Sequence, residues 1–194
     1  MRSGIVCAGN FLVDRVKMID TYPAQDALAN IRSESIGNGG CAFSTVLGLA
    51  KLGAPFPLCG CGLVGKDADG DWIKSVCSSN GVLTEAIQTV EAPTSYTDVM
   101  TVEATGRRTF FHQRGANALF GPEHLTFATS AKHLHLGYLL LLDRMDQPDE
   151  AFGTVAGRAL AAARTRGLTT SIDVVSEDSS RFPDLVVPTL DHVD

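Results

Sequence analysis

Short apolar segments alternate with helical segments along most of the 194-residue chain, and this alternation limits the possible folds more than any other feature. Gly4 to Ala8 is an apolar run that Gly9-Asn10 ends, and Thr45 to Leu52 then presents a broad apolar helical face. Further segments predicted as strands are 57–63, 133–142 and 168–175, and those predicted as helices are 67–79 and 150–166. Such alternation is typical of right-handed βαβ units, so we predict an α/β protein with a parallel sheet between two helical layers.

Two segments, 27–36 and 95–111, do not fit this alternation. The second has a strand pattern on each side of Ala104-Thr105-Gly106, which predicts a hairpin. Strands inserted between βα units can pair with each other outside the main sheet, so we expect a small β flap. No internal repeat or linker divides the chain into independent domains.

The charge balance limits the choice of partners. The net charge is -6 and the pI is near 5.3, whereas nucleic acids and anionic membranes require a basic surface. A small soluble ligand is therefore expected, with no nucleic acid and no membrane. The first apolar run is short and is interrupted by Asn10 and Asp14, so it predicts neither a signal peptide nor a membrane span, and we expect a cytoplasmic protein.

Five cysteines in a chain without a signal peptide do not indicate a disulfide scaffold, and an odd number leaves one unpaired. We interpret them as reduced, mostly buried residues. Cys59-x-Cys61 and His133-x-His135 each place two potential ligands on one strand face, which could indicate zinc. No second pair lies at zinc-finger spacing, so core cysteines and strand histidines are the favoured interpretation and no metal ligand is predicted.

Gly39-Gly40 directly precedes a helix. Glycines there let a ligand approach the backbone, and free N–H groups at the helix start can donate to it, although a tight βα turn needs glycine as well. The chain contains no G-x-x-x-x-G-K-[ST], and no G-x-G-x-x-G closes its first strand-to-helix turn. A Rossmann dehydrogenase therefore loses its main support.

This glycine pair, followed by an apolar helix that ends in Leu52-Gly53, resembles the first signature of the PfkB/ribokinase family. Further segments resemble the family in the same order: Gly9 to Asp14, Gly65 to Gly70, Gly106 to Phe110, Arg114 to Ala118, Leu136-Gly137-Tyr138 and Ser171-Ile172-Asp173. Each match is weak alone, but their shared order is specific.

The resemblance implies a ribokinase-like three-layer α/β/α sandwich with a small β flap, or lid. We expect residues 1–194 to form one incomplete domain of this fold, with lid strands near 14–37 and 95–113. The family's Gly-Ala-Gly-Asp segment and N-x-x-E element are not found, so the chain is expected to stop before the nucleotide-binding part. No catalytic residue is therefore assigned, and the ATP and Mg²⁺ implied for the intact enzyme have no identified ligands in this chain.

The resemblance also predicts a sugar-binding site. Asp14 is the leading candidate because an ionised carboxylate accepts strong hydrogen bonds from neighbouring sugar hydroxyls. Ser44 stands where the family usually has Asn, and Arg114 would suit the carboxylate of a sugar acid. Asp173 is left open between the cleft and a turn. The full set of predicted substrate-binding residues is Asn10, Asp14, Gly39, Gly40, Ser44, Arg114 and Asn117.

The implied function is ATP-dependent phosphorylation of a sugar or sugar acid, with this chain supplying the substrate-binding half. Two alternatives stay open: a non-catalytic sugar-binding module or pseudokinase, and a nucleoside kinase of the same superfamily. The resemblance further implies a homodimer formed through the lid.

Overall fold

The computed structural model of the protein describes residues 2–127, 131–177 and 179–194. In chain order the strands are β1 (Gly4–Gly9), β2 (Leu12–Ile19), β3 (Ile31–Gly39), β4 (Leu58–Gly65), β5 (Leu83–Val90), β6 (Tyr96–Val102), β7 (Arg108–Gln113), β8 (Ala131–Leu139), β9 (Pro148–Asp149), β10 (Gly153–Thr154) and β11 (Thr169–Val174). The α-helices are α1 (Cys41–Lys51), α2 (Ala68–Ser79), α3 (Val155–Thr165) and α4 (Phe182–Thr189).

Five parallel strands form the central sheet, in the order β11-β8-β1-β4-β5. β1 lies in the middle, and its residues Val6, Cys7 and Ala8 are fully buried. A strand covered on both faces has no polar side, which explains why this segment reads as a continuous apolar run rather than an alternating one. Because the strands are parallel, the carboxyl ends of β1, β8 and β11 lie at the same edge of the sheet.

Helices cover both faces of the central sheet. Phe43 and Val46 of α1 pack with Ile73 of α2 in one core, whereas Leu160 of α3 packs with Leu136 of β8 in the other. The predicted α/β fold with a parallel central sheet and two helical layers is confirmed. Within the described ranges, no helix is both long enough and apolar enough to span a membrane.

A second sheet of four strands, here called the flap sheet, has the order β3-β2-β6-β7. β2 and β6 are parallel, and the two outer pairs are antiparallel. Only two residues separate the end of β1 from the start of β2 at Leu12, so the flap sheet leaves the body at the carboxyl edge of the central sheet. Asn117 fixes this junction because its side-chain amide bonds to both the N–H and the carbonyl of Phe11.

The end of β8 and the start of α3 differ from the sequence prediction for reasons that the structure shows. β8 ends at Leu139 rather than at residue 142 because Leu140 has a φ of 76° and the Asp146 carboxylate accepts hydrogen bonds from the N–H groups of Leu140 and Leu142. α3 begins at Val155 rather than at residue 150, since the Thr154 hydroxyl accepts from the N–H of Gly157 and caps the helix.

Candidate substrate-binding site

The candidate site lies where the carboxyl ends of β1 and β8 face the start of the flap sheet. Ligands of open α/β sheets bind at this edge because loops diverge there and leave a crevice. Asn10 follows β1, and its side-chain oxygen accepts a hydrogen bond from the N–H of Tyr138 in β8. The N–H of Phe43 in α1 donates to the carbonyl of Asn10. These bonds place the start of α1 and the end of β8 around one residue.

The glycine pair permits close contacts that no other residue would allow. Gly40 has a φ of 84°, and a Cβ at this position would lie 2.5 Å from the carbonyl oxygen of Asn10. A Cβ at Gly39 would overlap the carboxylate of Asp14 and the side chain of Leu12. The absence of side chains therefore lets the turn before α1 pack directly against β1 and β2. It also leaves the backbone of the turn next to the Asp14 carboxylate.

Asp14 is a half-buried acid on β2 of the flap sheet. Burial raises the pKa of its carboxyl to about 6, and the charge of Arg108 on β7 opposes that increase. Among the described residues, no protein group donates a hydrogen bond to this carboxylate. Both of its oxygens are therefore available to accept hydrogen bonds from a ligand.

Asn10 and Asn117 are fully buried, and their amides already bond to backbone groups. The Asn10 side-chain NH₂ donates to the carbonyl of Leu141 at 3.5 Å, in addition to the bond from Tyr138. Among the described residues, the side-chain amide of Asn117 bonds only to Phe11, at 3.3 and 3.4 Å. Both side chains thus fix the backbone around the cleft, while direct contact with a ligand stays a prediction for each.

The side-chain hydrogen bonds and the ion pair of Ser44 and Arg114 are made with residues other than Asp14, Gly39 and Gly40. Ser44 is exposed on α1, and its hydroxyl accepts a hydrogen bond from the amide of Asn38 at 3.1 Å. Arg114 donates to the carbonyl of Leu140 at 3.2 Å and forms an ion pair with Asp143 at 2.6 Å. The guanidinium therefore borders the segment after β8, and an acidic side chain already neutralises it.

Sequence reasoning did not assign Tyr138 or Cys41 to the site. The pKa of the Tyr138 hydroxyl is raised by burial and by the neighbouring Cys41, Asp173 and Asp14, so these groups lie around one hydroxyl. Tyr138 and Asp173 come at the carboxyl ends of β8 and β11, and that position was the signal available in the sequence. Asp173, left open above, is exposed at this same edge.

Both strand histidines bond to one serine. The Ser171 hydroxyl lies 2.8 Å from Nε2 of His133 and 2.7 Å from Nδ1 of His135, and Nε2 of His135 lies 3.0 Å from the Cys41 sulfur. Burial lowers the pKa of both imidazoles, so they are neutral partners in this chain of hydrogen bonds. In the part of the chain that the structure describes, no three His, Cys, Asp or Glu side chains are placed to bind one metal ion.

The central feature is a five-stranded parallel sheet between helical layers. It is joined at its carboxyl edge to a flap sheet that carries an acid beside a glycine pair. These features define a ribokinase-like α/β protein. The model of a protein family described as "pfkB family carbohydrate kinase" matches residues 3–192 of the chain. The chain therefore belongs to the pfkB family of carbohydrate kinases, as its ordered segments predicted.

Three similar proteins illustrate this relationship. The ATP-dependent ribose-1-phosphate kinase of Halopiger xanaduensis is 30% identical over 134 residues, which cover 68% of this chain and 45% of that protein. The ribokinase of Giardia lamblia superposes with a TM-score of 0.75 at 21% identity, covering 99% of this chain and 56% of that one. The fructokinase of Xylella fastidiosa gives 0.73 at 21% identity, covering 100% and 58%. The chain thus spans about half the length of these relatives.

Proposed function

We propose that this chain supplies the substrate-binding part of an ATP-dependent kinase that phosphorylates a hydroxyl group of a sugar or sugar acid. The observation that carries the proposal is Asp14, a half-buried carboxylate beside Gly39 to which no described protein group donates. The carboxylate oxygens are free to accept hydrogen bonds, and neighbouring sugar hydroxyls supply two donors at once. Family membership supports the same conclusion.

Substrate binding in this cleft would use three kinds of contact. The Asp14 carboxylate accepts hydrogen bonds from two hydroxyls and thereby orients the ring. The backbone of Gly39 and Gly40 packs against the sugar at a distance that a side chain would prevent. Closure of the flap sheet over the sugar excludes water, which otherwise competes with the acceptor hydroxyl for the phosphoryl group.

The choice between a neutral sugar and a sugar acid depends on Arg114. Its guanidinium is paired with Asp143 at 2.6 Å, so a substrate carboxylate would have to compete with that side chain. A neutral sugar requires no such exchange of partners. We therefore rank neutral sugars first and retain sugar acids in the panel. Ribose 1-phosphate is included because the relative from Halopiger xanaduensis carries that substrate in its name.

ATP and Mg²⁺ are part of the proposed reaction in the intact enzyme, where ATP supplies the phosphoryl group and the metal offsets its charge. The acidic, histidine and cysteine side chains of the described ranges do not form a metal site. Because the sequence lacks the family's Gly-Ala-Gly-Asp and N-x-x-E segments, no residue of this chain is assigned to the nucleotide, to the metal or to the catalytic base. The contribution of this chain is to bind and orient the sugar.

Two further properties belong to the same proposal. One face of the flap sheet exposes large apolar side chains, among them Ile36 and Phe111, which supports a homodimer formed through this sheet. A cytoplasmic location is consistent with the need for ATP and with five free cysteines.

The proposal is tested by measuring ADP formation by the full-length protein with a panel of pentoses, hexoses, sugar acids, ribose 1-phosphate and nucleosides. We expect turnover with a sugar or sugar acid. The Asp14→Ala variant should lose about 100-fold or more in kcat/KM, because two charge-assisted hydrogen bonds are removed. Calorimetric titration of both proteins with the same sugar would show whether binding is lost as well.

Asp98→Asn is the matched control. Asp98 lies on β6 next to Thr97, so its side chain is on the other face of the flap sheet, where it pairs with Lys17 at 2.6 Å. Its kcat/KM should stay close to that of the unmodified protein. Sugar binding without turnover would favour a non-catalytic module or pseudokinase, and turnover with nucleosides alone would favour a nucleoside kinase. Either result, or an unaffected Asp14→Ala variant, would contradict the proposal.

A further inference from the structure

Asp14 lies in a row of three polar residues that are paired on adjacent strands of the flap sheet. In the strand register, Asp14 of β2 pairs with Thr97 of β6, and Thr97 pairs with His112 of β7. Residues paired across neighbouring strands point to the same face of a sheet. Asp14, Thr97 and His112 therefore form one row on the face that carries the candidate sugar-binding carboxylate.

Among the described residues, the two nitrogens of the His112 imidazole differ in their hydrogen bonding. Its Nδ1 lies 3.0 Å from the Thr97 hydroxyl, and this contact fixes the orientation of the ring. Its Nε2 is buried and has no hydrogen-bond partner among the described residues. Buried polar atoms are nearly always paired, because an unpaired one costs about 1–3 kcal/mol. A ligand atom that bonds to Nε2 would remove this cost.

The surroundings of His112 keep the ring neutral. Burial lowers the pKa of the imidazole, and the charge of Arg114 lowers it further, while the charge of Asp143 and a backbone hydrogen bond at Tyr96 act in the opposite direction. A neutral imidazole has one donor and one acceptor nitrogen. A Thr97 hydroxyl that donates to Nδ1 leaves Nε2–H as a donor, which suits a sugar hydroxyl or ring oxygen and gives no special preference for an anion.

The distance along the row fits a monosaccharide. Adjacent strands lie about 4.8 Å apart, so the backbones of β2 and β7 are separated by roughly 10 Å at this position. Two side chains and one sugar ring between them can span that separation. Gln113 also has a buried, unpaired side-chain oxygen among the described residues, but it neighbours His112 on the strand and so belongs to the other face.

We propose that His112 is a specificity-determining residue whose Nε2 forms a hydrogen bond with an oxygen of the neutral sugar that Asp14 binds. This assignment rests on the function proposed above. It adds a second polar contact on the flap side of the sugar, so that the ring is fixed from β2 and from β7 together. A sugar that lacks the contacted oxygen would be a poorer substrate.

The test compares two substitutions in the full-length protein with its best sugar substrate. Asn places its amide near the position of Nδ1, and Gln reaches the position of Nε2. The His112→Asn variant should raise KM about tenfold, the value of one hydrogen bond, with little change in kcat. The His112→Gln variant should restore a KM close to that of the unmodified protein. Thermal unfolding of both variants verifies that they fold.

A series of monodeoxy sugars then identifies the contact. If the partner is a hydroxyl, the increase in KM caused by His112→Asn should disappear for the one analogue that lacks this hydroxyl and persist for the others. If the partner is the ring oxygen, the increase should persist for all monodeoxy sugars and disappear for the carbocyclic analogue. His124→Asn is the matched control, because His124 accepts from Gly121 elsewhere in the chain, and its KM should be unchanged.

The outcomes separate this assignment from the function on which it rests. An unchanged KM in His112→Asn, or equal increases in His112→Asn and His112→Gln, would overturn the role of His112 while leaving sugar phosphorylation intact. A full-length protein that phosphorylates no sugar would overturn the proposed function and this assignment together.

Discussion

Asp14 combines its proposed binding role with a cost in stability. Its carboxyl has an ordinary pKa of 3.8 and a folded-state pKa of about 6, so the folded protein favours the protonated form. Ionisation therefore destabilises the fold as the pH rises from about 4 through 6, and the full cost is present above that range. A ligand that donates hydrogen bonds to the carboxylate offsets this cost.

The Asp14→Asn variant should consequently unfold at a higher temperature than the unmodified protein at pH 8. The difference should shrink as the pH is lowered through 6 and vanish near pH 4, where the carboxyl of the unmodified protein is protonated. Calorimetric unfolding across this pH range is the measurement. Asp98→Asn serves as control, since it removes the ion pair with Lys17 and should not stabilise. Equal unfolding temperatures at pH 8 would contradict the cost of burying Asp14.

Residue types and their order predicted part of the candidate site. The structure places Asn10, Asp14, Gly39 and Gly40 together, as expected from a loop at the carboxyl edge of a parallel sheet. His112 could not be found in the same way, because its importance depends on the register of β2, β6 and β7. Register follows from tertiary pairing, which a local pattern does not specify.

At the level of elements, α1 begins where two glycines meet the end of β1. The Gly40→Ala variant should lose stability and sugar binding, because the residue has a φ of 84° and a Cβ would meet the Asn10 carbonyl at 2.5 Å. The Gly48→Ala variant, within the same helix, should gain about 1 kcal/mol in stability, since no described atom outside the helix backbone lies within 4 Å of the added Cβ.

Denaturant unfolding and calorimetric sugar titration of the two glycine variants provide the comparison. Both substitutions add one methyl group to α1 or its N-cap, so a difference between them reports local geometry rather than composition. Equal stability of the two variants would show that the turn before α1 tolerates a side chain, which would contradict its close packing against Asn10.

Elements with a continuous apolar run or a clear helical face were the ones that sequence patterns located. β1 and α2 lie within a residue or two of their predicted bounds. β5 (Leu83–Val90) was not predicted, because it is an edge strand of the central sheet with several polar residues and carries no continuous apolar run. α3 was predicted too long, since the hydrogen bond that caps it at Thr154 competes with helix propensity upstream.

On the scale of the whole molecule, the apolar surface of the flap sheet makes self-association testable. Ile36 is 65% exposed on β3, and Phe111 is 53% exposed on β7. A double variant, Ile36→Asp with Phe111→Asp, should shift the full-length protein from dimer to monomer in analytical ultracentrifugation, because charges at an apolar interface oppose its burial. Leu52→Asp, at an 85% exposed position after α1, is the control and should leave the association state unchanged. A monomeric unmodified protein would contradict the dimer.

The alternation of strands and helices predicted the central sheet and its two helical layers, because that architecture follows from covering both faces of a parallel sheet. The order of strands in the flap sheet did not follow from the sequence. Its strands come from two separate parts of the chain, and the parallel pairing of β2 with β6 joins them over more than seventy residues.

The five buried thiols have a practical consequence for following the flap sheet in solution. Burial raises the pKa of the Cys59 thiol to about 11, and it likewise raises the pKa of the other four, so all five react slowly with maleimides at neutral pH. A cysteine introduced at exposed Ala104, in the hairpin between β6 and β7, would therefore carry a fluorophore selectively. The sequence thus provides a background of low thiol reactivity, against which such a fluorophore would show whether the flap sheet closes when sugar is added.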